Sequence, residues 1–185
     1  MKYLHILVFL LFQVFNTNAQ TMTTHKILIV YFSHSNNTQQ IAEWVQEKTG
    51  AEMVRIEPEI PYPSEYQETI DEMSRQNKGK ILPSFQKVEI NIQDYDTIFF
   101  GYPVWDMRLP PVVRTFLRDN DFSGKTIIPF NTHAGYGTGK SVNEIKEFAS
   151  KANVLEAFSI KDSSVKSTQP EVDQWIENVL KAQAE

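Results

Sequence analysis

The strongest constraint on how this chain folds is a set of short, uninterrupted apolar runs separated by helical periodicities. Residues 26–32 read Lys-Ile-Leu-Ile-Val-Tyr-Phe, and Ile98-Phe99-Phe100 and Ile127-Ile128-Pro129-Phe130 repeat the pattern, each bounded by polar or glycine-containing turns. A strand that is apolar on both faces must be covered on both faces, as in a parallel sheet held between two layers of helices. Two other stretches are mixed. In 51–57, Glu52 shares the face of Val54 and Ile56 while Arg55 opposes it, and 154–160 interleaves Glu156 and Ser159. These two are expected at the edges of the sheet.

Between the runs, apolar residues recur every three or four positions: Ile41, Trp44 and Val45; Val112, Val113, Phe116 and Leu117; Val142, Ile145 and Phe148; Val172, Trp175, Ile176 and Val179. That spacing predicts helices. Another is expected over 64–77, inside the proline-rich segment 57–94. Alternating strands and helices imply right-handed crossovers in an α/β fold. With runs two and five at the edges, the strand order becomes 2-1-3-4-5. Such a sheet binds ligands outside the carboxyl ends of strands 1 and 3, where the winding reverses.

Composition narrows the function. The 185 residues are 41% hydrophobic, enough for one domain with a sizeable core. The net charge of -5 opposes a phosphate backbone, so no nucleic acid partner is expected, and an acidic surface suits a basic redox partner. The absence of cysteine rules out disulfides, thiolate metal sites and cysteine nucleophiles. The four histidines, at 5, 25, 34 and 133, have no metal-ligand spacing.

Residues 1–19 differ from the rest. Lys2 precedes an apolar run from Tyr3 to Phe15, and Thr17 and Ala19 give a small-x-small site before Gln20. The run of about thirteen residues is shorter than the roughly 18–20 that span a bilayer, which reads as a signal peptide cleaved after Ala19. The expectation is a domain over 20–185, periplasmic or extracellular, with no membrane span in the mature chain.

Three strand-to-helix connections could carry chemistry. The first, Ser33-His34-Ser35-Asn36-Asn37-Thr38, sits before a helix expected to start near Gln39. Its hydroxyls and amides, beside the free N–H groups of a helix start, make an anion cradle that needs no Lys or Arg. The second, Gly101-Tyr102-Pro103-Val104-Trp105-Asp106, puts a tryptophan at the ligand edge, suited to a planar ring. The third, Thr132-His133-Ala134-Gly135-Tyr136, continues into Gly137-Thr138-Gly139-Lys140-Ser141, whose second half imitates a nucleoside-triphosphate loop with Ala134 in place of its first glycine. A hydrolytic triad of Ser33 or Ser35, His133 and Asp106 can be written down, but no Gly-x-Ser-x-Gly elbow surrounds either serine.

Taken together, the three loops resemble the flavin-binding loops of flavodoxins over roughly 26–182. The resemblance implies a flavodoxin-like three-layer sandwich with a five-stranded parallel sheet of order 2-1-3-4-5, binding one FMN. Ser33, Ser35, Asn37 and Thr38 match the phosphate-loop positions, with His34 and Asn36 between them. Pro103, Val104 and Trp105 match the first ring-contacting loop, followed by Asp106 where many relatives carry a second aromatic residue. Thr132, His133, Ala134, Gly135 and Tyr136 match the second ring loop, and the Pro61-Tyr62-Pro63 stretch with Tyr66 resembles the region before the second helix. The implied function is electron transfer to or from an unknown redox protein or small-molecule acceptor, with no side chain acting as a catalyst. Two alternatives share the fold: an NAD(P)H-dependent quinone or azo reductase, and a flavin-free binding module. In any flavin reading, Asp106 would oppose negative charge on the reduced ring and lower its potential, whereas a protonated His133 would raise it.

Overall fold

A computed structural model describes residues 26–184, so the expected signal peptide lies outside the described residues. The strands are β1 (Ile27–Tyr31), β2 (Glu52–Arg55), β3 (Thr97–Pro103), β4 (Thr126–His133), β5 (Asn153–Val154) and β6 (Phe158–Lys161). The helices are α1 (Asn37–Thr49), α2 (Tyr66–Gly79), α3 (Pro111–Asp119), α4 (Ser141–Phe148) and α5 (Gln169–Ala184). All strand pairings are parallel, in the order β2-β1-β3-β4-β5, with β6 also paired to β4.

Strand alternation divides the core into two layers. Leu28, Val30, Ile98, Phe100 and Ile127 pack with Val112, Val113, Phe116 and Leu117 of α3 and Ile145 of α4. Ile29, Tyr31, Phe99, Ile128 and Phe130 face the other way, onto Ile41 and Val45 of α1 and Val172 and Ile176 of α5. The expected three-layer architecture is therefore present. Gly101 lies opposite Phe130 in the β3–β4 register, and a Cβ there would come within 2.3 Å of the Phe130 ring. That position must be glycine for the two central strands to pair.

Two edge features depart from the simplest expectation. Glu52, placed on the apolar face by alternation, is exposed at the edge and accepts a hydrogen bond from the Tyr95 hydroxyl. The fifth strand, expected as one run over 154–160, is split into β5 and β6. Ile127 directs its carbonyl to the Leu155 amide, so alternation turns Pro129 toward the same neighbour. Proline has no N–H to offer, and the ladder is broken opposite it, between Val154 and Phe158.

Helix starts also shift. α2 begins at Tyr66, not 64, because Glu65 is extended (ψ 131°) and Thr69 folds its hydroxyl back onto the carbonyls of Pro63 and Glu65. α1 begins at Asn37 rather than Gln39, since Asn36 makes the turn in a left-handed conformation (φ 67°).

Candidate functional site

The three loops all leave the carboxyl ends of adjacent central strands, so the topology gathers them along one edge. The first is tethered by the Phe32 amide, which donates to the Gly101 carbonyl at 2.9 Å. Ser33 points inward, buried, its Oγ accepting from the Gln39 amide at 3.2 Å. The first intrahelical bond runs from the Gln40 amide to the Asn36 carbonyl (3.0 Å). The amides of Asn37 and Thr38 then have no partner within the helix, and the positive end of α1 is aimed at the loop. Ser35 and Asn36 are exposed, and the Asn37 side-chain amide reaches the Ser35 hydroxyl at 3.3 Å. Thr38 is buried and shares a hydrogen bond with Thr132.

Arg55 also belongs to this loop, contrary to the expectation of a cradle without basic residues. From the carboxyl end of β2, its guanidinium donates to the Ser33 carbonyl (2.9 Å) and the Gln39 side-chain oxygen (3.0 Å), and lies 2.7 Å from the Glu57 carboxylate. No local pattern marks it, because Arg55 and Ser33 meet only through strand pairing.

In the second loop, the Val104 amide donates to the Thr132 carbonyl (2.8 Å), joining the ends of β3 and β4. Trp105 and Arg108 then exchange two backbone hydrogen bonds, at 3.0 and 2.9 Å. The residues between them, Asp106 and Met107, both have positive φ (49° and 58°). This is the geometry of a type I′ turn, which ordinarily takes Asn-Gly or Asp-Gly, so Asp106 suits its place while Met107 in the glycine position costs about 1–2 kcal/mol. Trp105 is half-buried, meeting the rings of Tyr62, Phe32 and His34 nearly at right angles at 4.9, 5.4 and 5.7 Å. Asp106 is exposed at the tip. His34 is fixed by a hydrogen bond between its Nε2 and the Pro63 carbonyl (2.9 Å). Tyr62 donates to the Gln76 side chain, and burial pushes its phenol well above the usual range.

In the third loop, His133 Nδ1 accepts from the Gly135 amide at 2.9 Å, which makes Nε2 the protonated nitrogen of the neutral ring. Ala134, Gly135 and Tyr136 are exposed, Tyr136 by 79%. The nucleotide-loop likeness of the following residues has a local explanation. A Cβ on Gly139 would lie 2.3 Å from the Met107 carbonyl, and the Lys140 amide donates to that same oxygen at 2.7 Å. Ser141 is buried, bonded to the Thr138 carbonyl (2.6 Å) and the Tyr102 hydroxyl (3.1 Å). This loop is therefore closed onto its own chain. The triad of Ser33 or Ser35, His133 and Asp106 does not assemble either, since His133 Nδ1, which would have to donate to Asp106, instead accepts from Gly135.

Sequence reading also missed Glu144. Buried in the first turn of α4, its carboxylate accepts from Arg108 Nε (2.7 Å) and from the Leu109 amide (2.8 Å). A cavity of about 910 Å³ lies elsewhere, between 59–63, α2 and 81–84, and none of the three loops lines it. Among the described residues, no group of carboxylates and histidines could hold a metal ion, and no helix is long and apolar enough to cross a membrane.

Free helix-terminal amides with small hydroxyl and amide side chains suit a phosphomonoester. Half-buried Trp105, with exposed Tyr136 and backbone-rich 133–136 on the loop of the neighbouring strand, suits the ring and polar edge of a heteroaromatic. This is the site of a flavodoxin-like α/β protein, a parallel sheet with its ligand loops after β1, β3 and β4. The flavodoxin family profile matches residues 26–179, and the chain belongs to that family. Solved structures agree. A candidate flavoprotein from Bacteroides uniformis is 26% identical, with a TM-score of 0.71 over 83% of this chain and 98% of that one. One from Bacteroides eggerthii is 28% identical, with a TM-score of 0.67 over 80% and 98%. A Lactobacillus acidophilus flavoprotein, solved in complex with FMN, is 27% identical, with a TM-score of 0.63 over 77% and 97%. No curated protein matches the chain.

Proposed function

We propose that this protein binds one FMN across the three loops and carries electrons between partners outside the cytoplasm. The observation that carries the reading is the convergence of an amide-rich helix start, 33–38, with the Trp105 turn and the 133–136 loop on one sheet edge. The first loop holds the phosphate through the Asn37 and Thr38 amides and the Ser35 and Asn37 side chains, with Arg55 supplying positive charge behind it. Trp105 and Tyr136 border the ring, and the 133–136 backbone meets its polar edge. When bound, FMN supplies one- and two-electron redox chemistry. The side chains orient and tune, and nicotinamide is scarce outside the cytoplasm, which favours a carrier over a hydride-transfer reductase. Residues 1–19 support export.

The test is an absorbance and fluorescence titration of residues 20–185 with FMN, followed by mixing with NADPH and a quinone. Saturable binding with quenched flavin fluorescence and no NADPH oxidation is expected. No binding at micromolar FMN overturns the flavin reading, and rapid NADPH oxidation replaces the carrier with a reductase. Recovery of the full-length chain in the cytosolic fraction, with Met1 retained, would remove the export reading.

A further inference from the structure

We propose that Glu144 is the positioning residue of the Trp105 turn: its buried carboxylate, acting through Arg108 and the Leu109 amide, holds the turn in a shape that Met107 disfavours. The inference rests on reading this edge as a flavin site. Asp106 and Met107 occupy two consecutive left-handed positions, and Met107 stands where glycine is the natural residue, so the geometry must be held from outside.

The imposing groups come from α4 and the residues leading into it. A buried carboxylate is costly unless fully partnered, and both of Glu144's oxygens are used on the turn's exit. Oε1 takes Arg108 Nε and Nη2, each at 2.7 Å, and Oε2 takes the Leu109 amide at 2.8 Å. Just before α4, Gly139 lets the backbone close on the Met107 carbonyl, which accepts from Lys140. The opposite arm is weak: Asp106 reaches only the side-chain amide of half-buried Asn77, at 3.4 Å. Trp105 opens the turn and its backbone bonds to Arg108, so the indole is presented among Phe32, His34 and Tyr62 before any ligand arrives. A ring binding there meets a preformed wall and loses less to ordering.

Glu144→Gln keeps the size and an acceptor for Leu109 while removing the charge that holds Arg108. The readouts are amide hydrogen exchange at Trp105 and Arg108 without flavin, and dissociation constants for FMN and riboflavin. Exchange at those two amides rises about tenfold while strand amides are unchanged, and both flavins weaken by a common factor of about ten, since the ring and not the phosphate is affected. Adding Asp106→Asn with Met107→Gly, which favours the turn unaided, restores both. Unchanged exchange in Glu144→Gln overturns the proposal, as does a failure of that rescue, which would make Glu144 a stabiliser of α4 only. If Glu144→Gln does not fold, Arg108→Gln removes the same arm from its exposed end, and the same two amides must loosen. If the unmodified protein binds neither flavin, the flavin reading fails while the exchange comparison still decides the role of Glu144.

Discussion

Thr38 and Thr132, 94 positions apart in sequence, share a buried hydrogen bond of 3.0 Å between their hydroxyls. The bond ties the first turn of α1 to the carboxyl end of β4, and so the 33–38 loop to the 133–136 loop. Replacing either threonine by valine leaves the other hydroxyl buried without its partner, at about 1–3 kcal/mol. The double Thr38→Val/Thr132→Val variant loses less than the sum of the two singles. Urea unfolding of the four proteins in a double-mutant cycle measures the difference.

If 33–38 holds a phosphate, Arg55 should act on that end alone. Arg55→Gln should weaken FMN about tenfold, the equivalent of about 1.4 kcal/mol, and leave riboflavin affinity within a factor of two. Parallel titrations with the two flavins check this. Equal losses for both would show that Arg55 supports the loop without favouring the phosphate.

The flavin potential should respond to Asp106 and His133 in opposite directions. Asp106→Asn removes a negative charge from the exposed tip of the Trp105 turn and raises the potential by about 20 mV, equivalent to about 1 kcal/mol on a two-electron couple. His133 accepts the Gly135 amide at Nδ1, which leaves its Nε2–H free to favour negative charge nearby. His133→Ala should therefore lower the potential, opposite in sign to Asp106→Asn. Wild-type potentials in both variants would disconnect these residues from the ring.

Alkaline stability should be limited by a buried phenol. Burial pushes Tyr102 from its ordinary 10.0 up to about 12. Between those values the folded protein retains a proton that the unfolded chain has lost, so stability falls as pH rises. The contribution is complete below pH 10 and declines by about 1.4 kcal/mol per pH unit above it, for this one group. Urea midpoints from pH 8 to 11.5 should fall less steeply in Tyr102→Phe than in the wild type.

The central strands and the helices that cover them were legible because their signals are local: an apolar run for each strand, a three-to-four spacing for each helix. The loops were legible as composition. Their wiring was not. Arg55 reaches Ser33 only once β2 pairs with β1, and Glu144 reaches Arg108 across 36 residues that share no periodicity. Gly139 and Ser141 imitated a phosphate loop because a close backbone approach demands glycine whatever is being approached, here the Met107 carbonyl. The split of the fifth strand was written in Pro129, but only the direction of Ile127's carbonyl shows which neighbour loses the bond.

The break opposite Pro129 also bears on how the chain behaves when crowded with its own copies. A continuous outer strand offers a row of open donors and acceptors onto which a second chain can add. Here that rim is divided into a two-residue and a four-residue piece. On the far side, just past the end of β2, residues 84–86 run antiparallel to 57–59, with the Glu59 amide on the Ser84 carbonyl and the Gln86 amide on the Glu57 carbonyl. Neither rim is a long, flat template, so the sheet terminates at its own borders, and growth by strand addition has little to start from.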